Sequence, residues 1–238
     1  MTRLLASVRD MAEARLVADC GVPWIDLKEP AAGALGAVPL DVIAAAVVAF
    51  GATHTLSATI GDCWDTPQQI PARVAAIAAT GAHYAKVGLF ARRVSQPLRA
   101  ALAASTSLGC GVIAVCFAEA PPREDDIQAL AELGLAGLML DTAEKSGPGL
   151  RALLSPAALS RFVAAVHGQG LLCGLAGRLA VADVPVLKTL GADYLGFRSA
   201  LCADAERVAA LDASSVQRLC DLFASPALSV AADTPLTL

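Results

Sequence analysis

Short apolar runs alternate with alanine-rich helical stretches along almost the whole chain, and the alternation recurs about eight times. Strand–helix alternation builds a parallel sheet, and eight repeats are the number that closes such a sheet into a (β/α)8 barrel. The expected strands are Leu4–Val8, Trp24–Lys28, His54–Ile60, His83–Leu89, Gly111–Phe117, Leu135–Leu140, Leu171–Leu175 and Tyr194–Phe197. The expected helices are Asp10–Cys20, Asp41–Phe50, Pro67–Thr80 with Pro71 near its start, Pro97–Ser105, Glu124–Leu133, Pro156–His167, Asp183–Leu190 and Ala213–Phe223. Gly21, Gly51, Gly81, Gly109, Gly134, Gly170 and Gly191 each precede a strand, where a helix C-terminus favours glycine. An open doubly wound sheet is the competing α/β architecture. No Gly-x-Gly-x-x-Gly follows the first strand, which argues against the dinucleotide-binding form of that sheet. No composition break marks a second domain. The expectation is a single-domain TIM barrel over residues 1–224, followed by a loosely ordered tail, 225–238, that lacks periodicity.

Charge and cysteine usage narrow the partners. A net charge of −4 argues against general nucleic-acid binding, and no basic run suggests a membrane surface. No apolar run approaches the ~20 residues of a membrane span, and the opening Met1–Asp10 has too short an apolar core for a signal peptide. The seven cysteines form no Cys-x-x-Cys pair and read as small buried residues of a cytoplasmic protein. His54, His83 and His167 are isolated, so no metal is expected. The expected partners are a small-molecule phosphosugar and further copies of the same chain, as a homo-oligomer, with no cofactor.

The chain has only four lysines, Lys28, Lys86, Lys145 and Lys188, beside fourteen arginines. Lys28 and Lys86 fall in or at the end of strand-like runs, and Lys145 follows a third. Strand side chains alternate with period two, so in Trp24-Ile25-Asp26-Leu27-Lys28 the acid and the amine share the face away from Ile25 and Leu27. A barrel places its working residues at the C-terminal ends of strands. On the even strands those ends carry Lys28, Lys86, Asp141 and Arg198, and in each the neighbouring apolar residues take the opposite parity. These four are expected to share about one layer at the barrel mouth, with Asp26 one layer below Lys28.

An arginine cannot replace a nucleophilic amine, because its guanidinium stays protonated. A desolvated lysine can attack a carbonyl to form an imine, which acidifies the neighbouring carbon. A second amine or a carboxylate can then move protons. Arg198 and the glycine-bearing turns Gly174–Gly177 and Gly196–Ser199 follow strands seven and eight, where barrels often bind phosphate. The competing structural explanations are rim salt bridges for Lys28 and Lys86, an ion pair for Asp26, helix caps for Asp62 and Glu119, and a turn for Asp141-Thr142.

Several separated stretches resemble one family. Ile25-Asp26-Leu27-Lys28-Glu29-Pro30, Ser57-Ala58-Thr59-Ile60-Gly61-Asp62, Lys86-Val87-Gly88-Leu89, Leu140-Asp141-Thr142-Ala143-Glu144-Lys145 and Leu175-Ala176-Gly177 resemble (5-formylfuran-3-yl)methyl phosphate synthase, also called 4-(hydroxymethyl)-2-furancarboxaldehyde-phosphate synthase. The resemblance implies a (β/α)8 barrel that condenses two molecules of glyceraldehyde 3-phosphate into a furan aldehyde phosphate, losing phosphate and water. The product supplies the furan of methanofuran-type one-carbon carriers. It further implies Lys28 as the Schiff-base lysine and Lys86 as the proton acceptor, with Asp26, Asp141, Lys145 and Arg198 around the site. Gly177, Gly196 and Ser199 join Arg198 as the expected phosphate contacts. Two departures stand out: Cys116-Phe117-Ala118-Glu119 replaces a Gly-Tyr-Ala-Asp type run, and Ser199 replaces a glycine. A lysine aldolase without ring closure, and a sugar-phosphate-binding barrel without turnover, remain the alternatives.

Overall fold

A computed structural model describes residues 1–225 except 64, 91–93 and 145. Eight parallel strands close into a barrel: β1 (Arg3–Val8), β2 (Trp24–Leu27), β3 (Thr55–Thr59), β4 (Tyr84–Leu89), β5 (Gly111–Phe117), β6 (Gly137–Asp141), β7 (Leu172–Leu175) and β8 (Tyr194–Phe197). β8 pairs back onto β1 with Arg3 opposite Tyr194, so no edge strand remains to be protected. The helices are α1 (Met11–Asp19), α2 (Leu40–Phe50), α3 (Ile70–Ala79), α4 (Gln96–Ser105), α5 (Glu124–Ala131), α6 (Leu150–Leu153), α7 (Pro156–Gly168), α8 (Val184–Thr189) and α9 (Ala213–Ala224). The open-sheet alternative is therefore excluded.

Local chemistry accounts for most element ends. Asp10 caps α1 by accepting the Glu13 N–H at 2.9 Å. The helix expected over 67–80 splits into a 3-10 turn, Pro67–Gln69, and α3, because Pro71 fits the first turn of a helix but not its interior. Six of the seven glycine stops take positive φ, as a left-handed helix end requires; Gly51 departs, ending α2 at φ −60. The sequence pattern gave no sign of α6 or of the 3-10 turns after β8. The cysteines are free, and five of them are buried. Among the described residues no helix is long and apolar enough to cross a membrane.

Alternation divides the apolar residues between two cores. Leu4, Ala6, Val8, Ile25, Leu27, Ala85 and Val87 belong to the layer between barrel and helices. Leu5, Trp24, Ile113, Val115, Met139 and Tyr194 fill the barrel interior. The interior takes two large rings at its floor because glycines stand opposite them. A Cβ on Gly174 would collide with the Tyr194 ring, and one on Gly111 would come within 2.7 Å of the Tyr84 ring. Trp24 lies between these tyrosines, its ring centroid 5.2 Å from Tyr84 and 4.3 Å from Tyr194. This aromatic floor lies below a polar cavity that opens toward the C-terminal ends of the strands.

Candidate active site

Directly above the floor, Asp26 on β2 is surrounded by donors from three strands. Ser57 Oγ on β3 donates to Oδ1 at 2.5 Å, and Ser7 Oγ on β1 donates to Oδ2 at 3.1 Å. Lys86 Nζ on β4 lies 2.9 Å from Oδ1. That contact is an ion pair whose angles fall short of a well-aligned hydrogen bond. Trp24 Nε1 donates to Ser57 Oγ at 2.9 Å, which turns the serine's own hydrogen toward the carboxylate. Asp26 is 2% exposed, Lys86 1% and Ser57 0%. Burying an ammonium this fully pushes its pKa below the usual lysine range; the Asp26 charge opposes that shift, and the Lys28 charge adds to it. Lys86 Nζ also lies 5.6 Å from the centroid of the Tyr194 ring, whose hydroxyl is buried without a hydrogen-bond partner among the described residues.

One layer higher, Lys28 follows β2 and reaches Asp141, the last residue of β6, at 3.5 Å. The other oxygen of Asp141 accepts the Thr142 N–H at 2.7 Å, which fixes the carboxylate. Glu119, after β5, accepts the backbone N–H groups of Ala143 and Glu144 and so holds the loop that follows β6. This is neither a helix cap nor a position facing the cavity. Lys145 lies outside the described residues.

The layering differs from the expected single ring of four charges. Asp26 pairs in register with Ser57, and Ser57 with Tyr84, so Lys86 stands two residues further along β4 than the level of Asp26. Strands tilted by about 36° to the barrel axis bring a residue displaced in this way down to its neighbour's height. Lys86 therefore shares a layer with Asp26, while Lys28, Asp141 and Arg198 form the layer above.

Arg198 follows β8 and faces inward, as its parity required, but its guanidinium is already in use. Nε donates to Arg207 O at 2.9 Å. Nη1 donates to Ser7 O at 3.2 Å and to Glu13 Oε2, and Nη2 donates to Glu13 Oε1 at 3.1 Å and Ala209 O at 2.8 Å. Five acceptors occupy the five N–H groups of an arginine. Glu13, on α1, is a buried acid that the sequence reading did not single out.

Asp26, Lys28, Lys86, Asp141, Gly177, Gly196, Arg198 and Ser199 all line one cavity at the C-terminal mouth. Its volume is about 50 Å³. A few waters fill that much space. Gly174, read with Gly177 as part of a phosphate turn, instead makes room for Tyr194. Ser7, Ser57 and Arg207 also matter here and were missed. The signal for the serines was present: each is a polar residue at an inward position of its strand, opposite in parity to the apolar residues beside it. Arg207, in an irregular segment, had no periodic signal.

Two paired amines in a closed pocket, one of them strongly desolvated, can form an imine and transfer protons around it. The 4-HFC-P synthase family model matches residues 4–220. A Methanopyrus kandleri (5-formylfuran-3-yl)methyl phosphate synthase is 34% identical over 218 residues, covering 86% of this chain and 91% of its own. A Methylorubrum extorquens protein that carries the same name provisionally is 42% identical over 215 residues, covering 90% and 88%. Among solved structures, phosphoribosyl anthranilate isomerase from Thermus thermophilus aligns with a TM-score of 0.66 at 14% identity, covering 94% of this chain and 98% of that one. This last likeness concerns the fold alone.

Proposed function

On the premise that the chain belongs to the 4-HFC-P synthase family, we propose that it condenses two molecules of glyceraldehyde 3-phosphate into (5-formylfuran-3-yl)methyl phosphate through a lysine imine. By atom balance, one inorganic phosphate and two waters leave. The product then supplies the furan of a methanofuran-type one-carbon carrier. The observation that carries this reading is the pair of lysines opening into one cavity with a separate aspartate each.

Lys28 is the imine-forming amine. It stands in the upper layer, where an incoming aldehyde meets it first, and its contact to Asp141 is long enough to exchange for substrate. Attack on the carbonyl gives a carbinolamine, and loss of water gives the protonated imine. That cation acidifies the adjacent carbon, whose proton needs an acceptor. Lys86 suits this role because burial favours its neutral form. The resulting enamine is the precursor both for attack on a second aldehyde and for expulsion of a phosphate one carbon further on. Asp26 stabilises the Lys86 ammonium that forms as the proton arrives, until Lys86 passes that proton on and is neutral again. Asp141 assists at the mouth, and Lys145 takes part as the family resemblance implies. Gly177 and Ser199 present loop N–H groups to a phosphate, and Gly196, on β8 at the cavity wall, leaves room for it.

Borohydride reduction in the presence of glyceraldehyde 3-phosphate tests the proposal. A substrate-sized mass should appear on the native protein, in the peptide containing Lys28, and substrate alone should yield a furan chromophore with free phosphate. Adduct without phosphate release would point to a simple aldolase; binding without adduct would point to a non-catalytic barrel.

A further inference from the structure

Taking the substrate as a triose phosphate, as above, we propose that Arg207 is the side chain that grips a substrate phosphoryl group at the barrel mouth, and that the Arg198–Glu13 pair is the fixture that holds its segment in place.

The cations around the cavity differ in what they have left to offer. Lys86 and Lys28 face aspartates, and Arg198 faces Glu13 with every N–H donated. Arg207 lines the same cavity, yet among the described residues only one of its N–H groups has an acceptor, Nη2 to Gly33 O at 3.0 Å. The rest of the fork is open, and a planar fork matches two oxygens of a phosphoryl group. Arg207 is half-buried; burial and, to a lesser extent, the Arg198 charge push its pKa down, and the charge of Asp141 is the main opposing influence. A cation with idle donors in a partly desolvated pocket gains more from an arriving dianion than one exposed to water.

The segment that carries Arg207 is braced from below. Its neck is closed by a bridge between Cys202 and Leu211 and by Asp212 N–H donating to Leu201 O at 2.8 Å. Three successive carbonyls are then taken by arginines: Arg198 bonds Arg207 O and Ala209 O, and Arg9 bonds Val208 O at 2.7 Å. Glu13 pairs with both of these arginines. Earlier in the segment, Asp204 and Ala205 hold positive φ values of 53 and 57, a conformation that L residues adopt only when their surroundings enforce it. Arg198 is thus spent on positioning, and Arg207 is the residue it positions. Arg178 is the rival cation on this cavity, but it is exposed and donates to Gly147 O in the loop after β6.

Calorimetric titration with inorganic phosphate, alongside steady-state kinetics on glyceraldehyde 3-phosphate, tests the assignment. Arg207→Ala should weaken phosphate binding and raise KM by about tenfold or more, the loss expected of one charged hydrogen-bonded contact. The Lys28 borohydride adduct at saturating substrate should persist, and Arg207→Lys should recover part of the affinity. Arg178→Ala should change binding by less than Arg207→Ala. Phosphate affinity insensitive to Arg207→Ala, a larger loss in Arg178→Ala, or no measurable phosphate binding by the wild type would each overturn the proposal. Phosphate binding that depends on Arg207 in a protein that makes no furan would uphold Arg207 while removing the synthase reading. Furan formation unaffected by Arg207→Ala would do the reverse.

Discussion

At the lower level of the cavity, Lys86 lies 2.9 Å from an Asp26 that already accepts two serine hydroxyls; at the upper level, Lys28 lies 3.5 Å from an Asp141 anchored to the backbone. Both are lysine–aspartate pairs inside one barrel. The lower is built from inward side chains of β1 to β4 over an aromatic floor, and every member is sealed. The upper is built at strand ends, next to loops, and Lys28 keeps 9% of its surface. Geometry of the first kind fixes a proton-transfer group in place, whereas geometry of the second leaves an amine within reach of an incoming carbonyl. On the proposed mechanism one residue type serves two roles, because burial, not identity, separates the amines.

Exchanging the lysines one at a time tests that separation most severely. Lys28→Arg keeps a cation and should abolish both the borohydride adduct and furan product, since a guanidinium is no usable nucleophile. Lys86→Arg should still bind substrate while losing about 10²–10⁴ in kcat, the range of a general base. Because arginine is bulky for so buried a position, Lys86→Met with a melting curve serves as the control. Product formation by Lys28→Arg, or a Lys86→Arg kcat close to that of the wild type, would dissolve the distinction between the two levels.

A smaller effect should appear in stability. Asp26→Asn strands a buried ammonium and should cost about 3 kcal/mol, as broken buried pairs do. Asp141→Asn should cost less, because Lys28 can turn toward water and an amide oxygen can still accept the Thr142 N–H. Denaturant unfolding of the two variants checks the order, and equal losses would mean that the levels are energetically alike. Linkage gives a sign as well. Folded Lys86 releases its proton at lower pH than its unfolded counterpart at 10.5, so the unfolded chain binds more protons between those two values. Stability therefore rises with pH across that window, and the rise should vanish in Lys86→Met.

The smallest expected change is a shift in pH profile. Ser57→Ala removes one hydrogen bond from Asp26 and leaves the Trp24 N–H unmatched, costing about 1–3 kcal/mol of stability. An Asp26 less satisfied by serine interacts more strongly with Lys86, so the acidic limb of kcat, along which Lys86 loses its proton, should move to higher pH. A shift in the opposite direction would show that the serine does not set the poise of the lower pair.

Much of this was legible in the chain before any fold was seen. The strand–helix rhythm gave the barrel, and period two gave the inward faces of Asp26, Lys28, Lys86, Asp141 and Arg198. Stretches such as Ser57–Asp62 and Lys86–Leu89 resembled the family to which the chain belongs. Less visible was what each charge would meet. Asp26 was expected one layer below Lys28 and Lys86 level with Lys28, whereas Lys86 meets Asp26 in the lower layer.

Alternation and helix stops are properties of adjacent residues, fixed by covalent geometry and local hydrogen bonding, and so the sequence alone determined them. Partners across a barrel depend on the tilt and stagger of strands far apart in the chain, and only the tertiary structure decided those. Stagger put Lys86 beside Asp26 rather than level with Lys28. Closure of β8 onto β1 carried Arg198 to Glu13 and, with Arg9, bound the irregular segment that brings Arg207 to the mouth. An ion pair between residues 13 and 198 has no local signature, because its energy exists only after the whole sheet has closed.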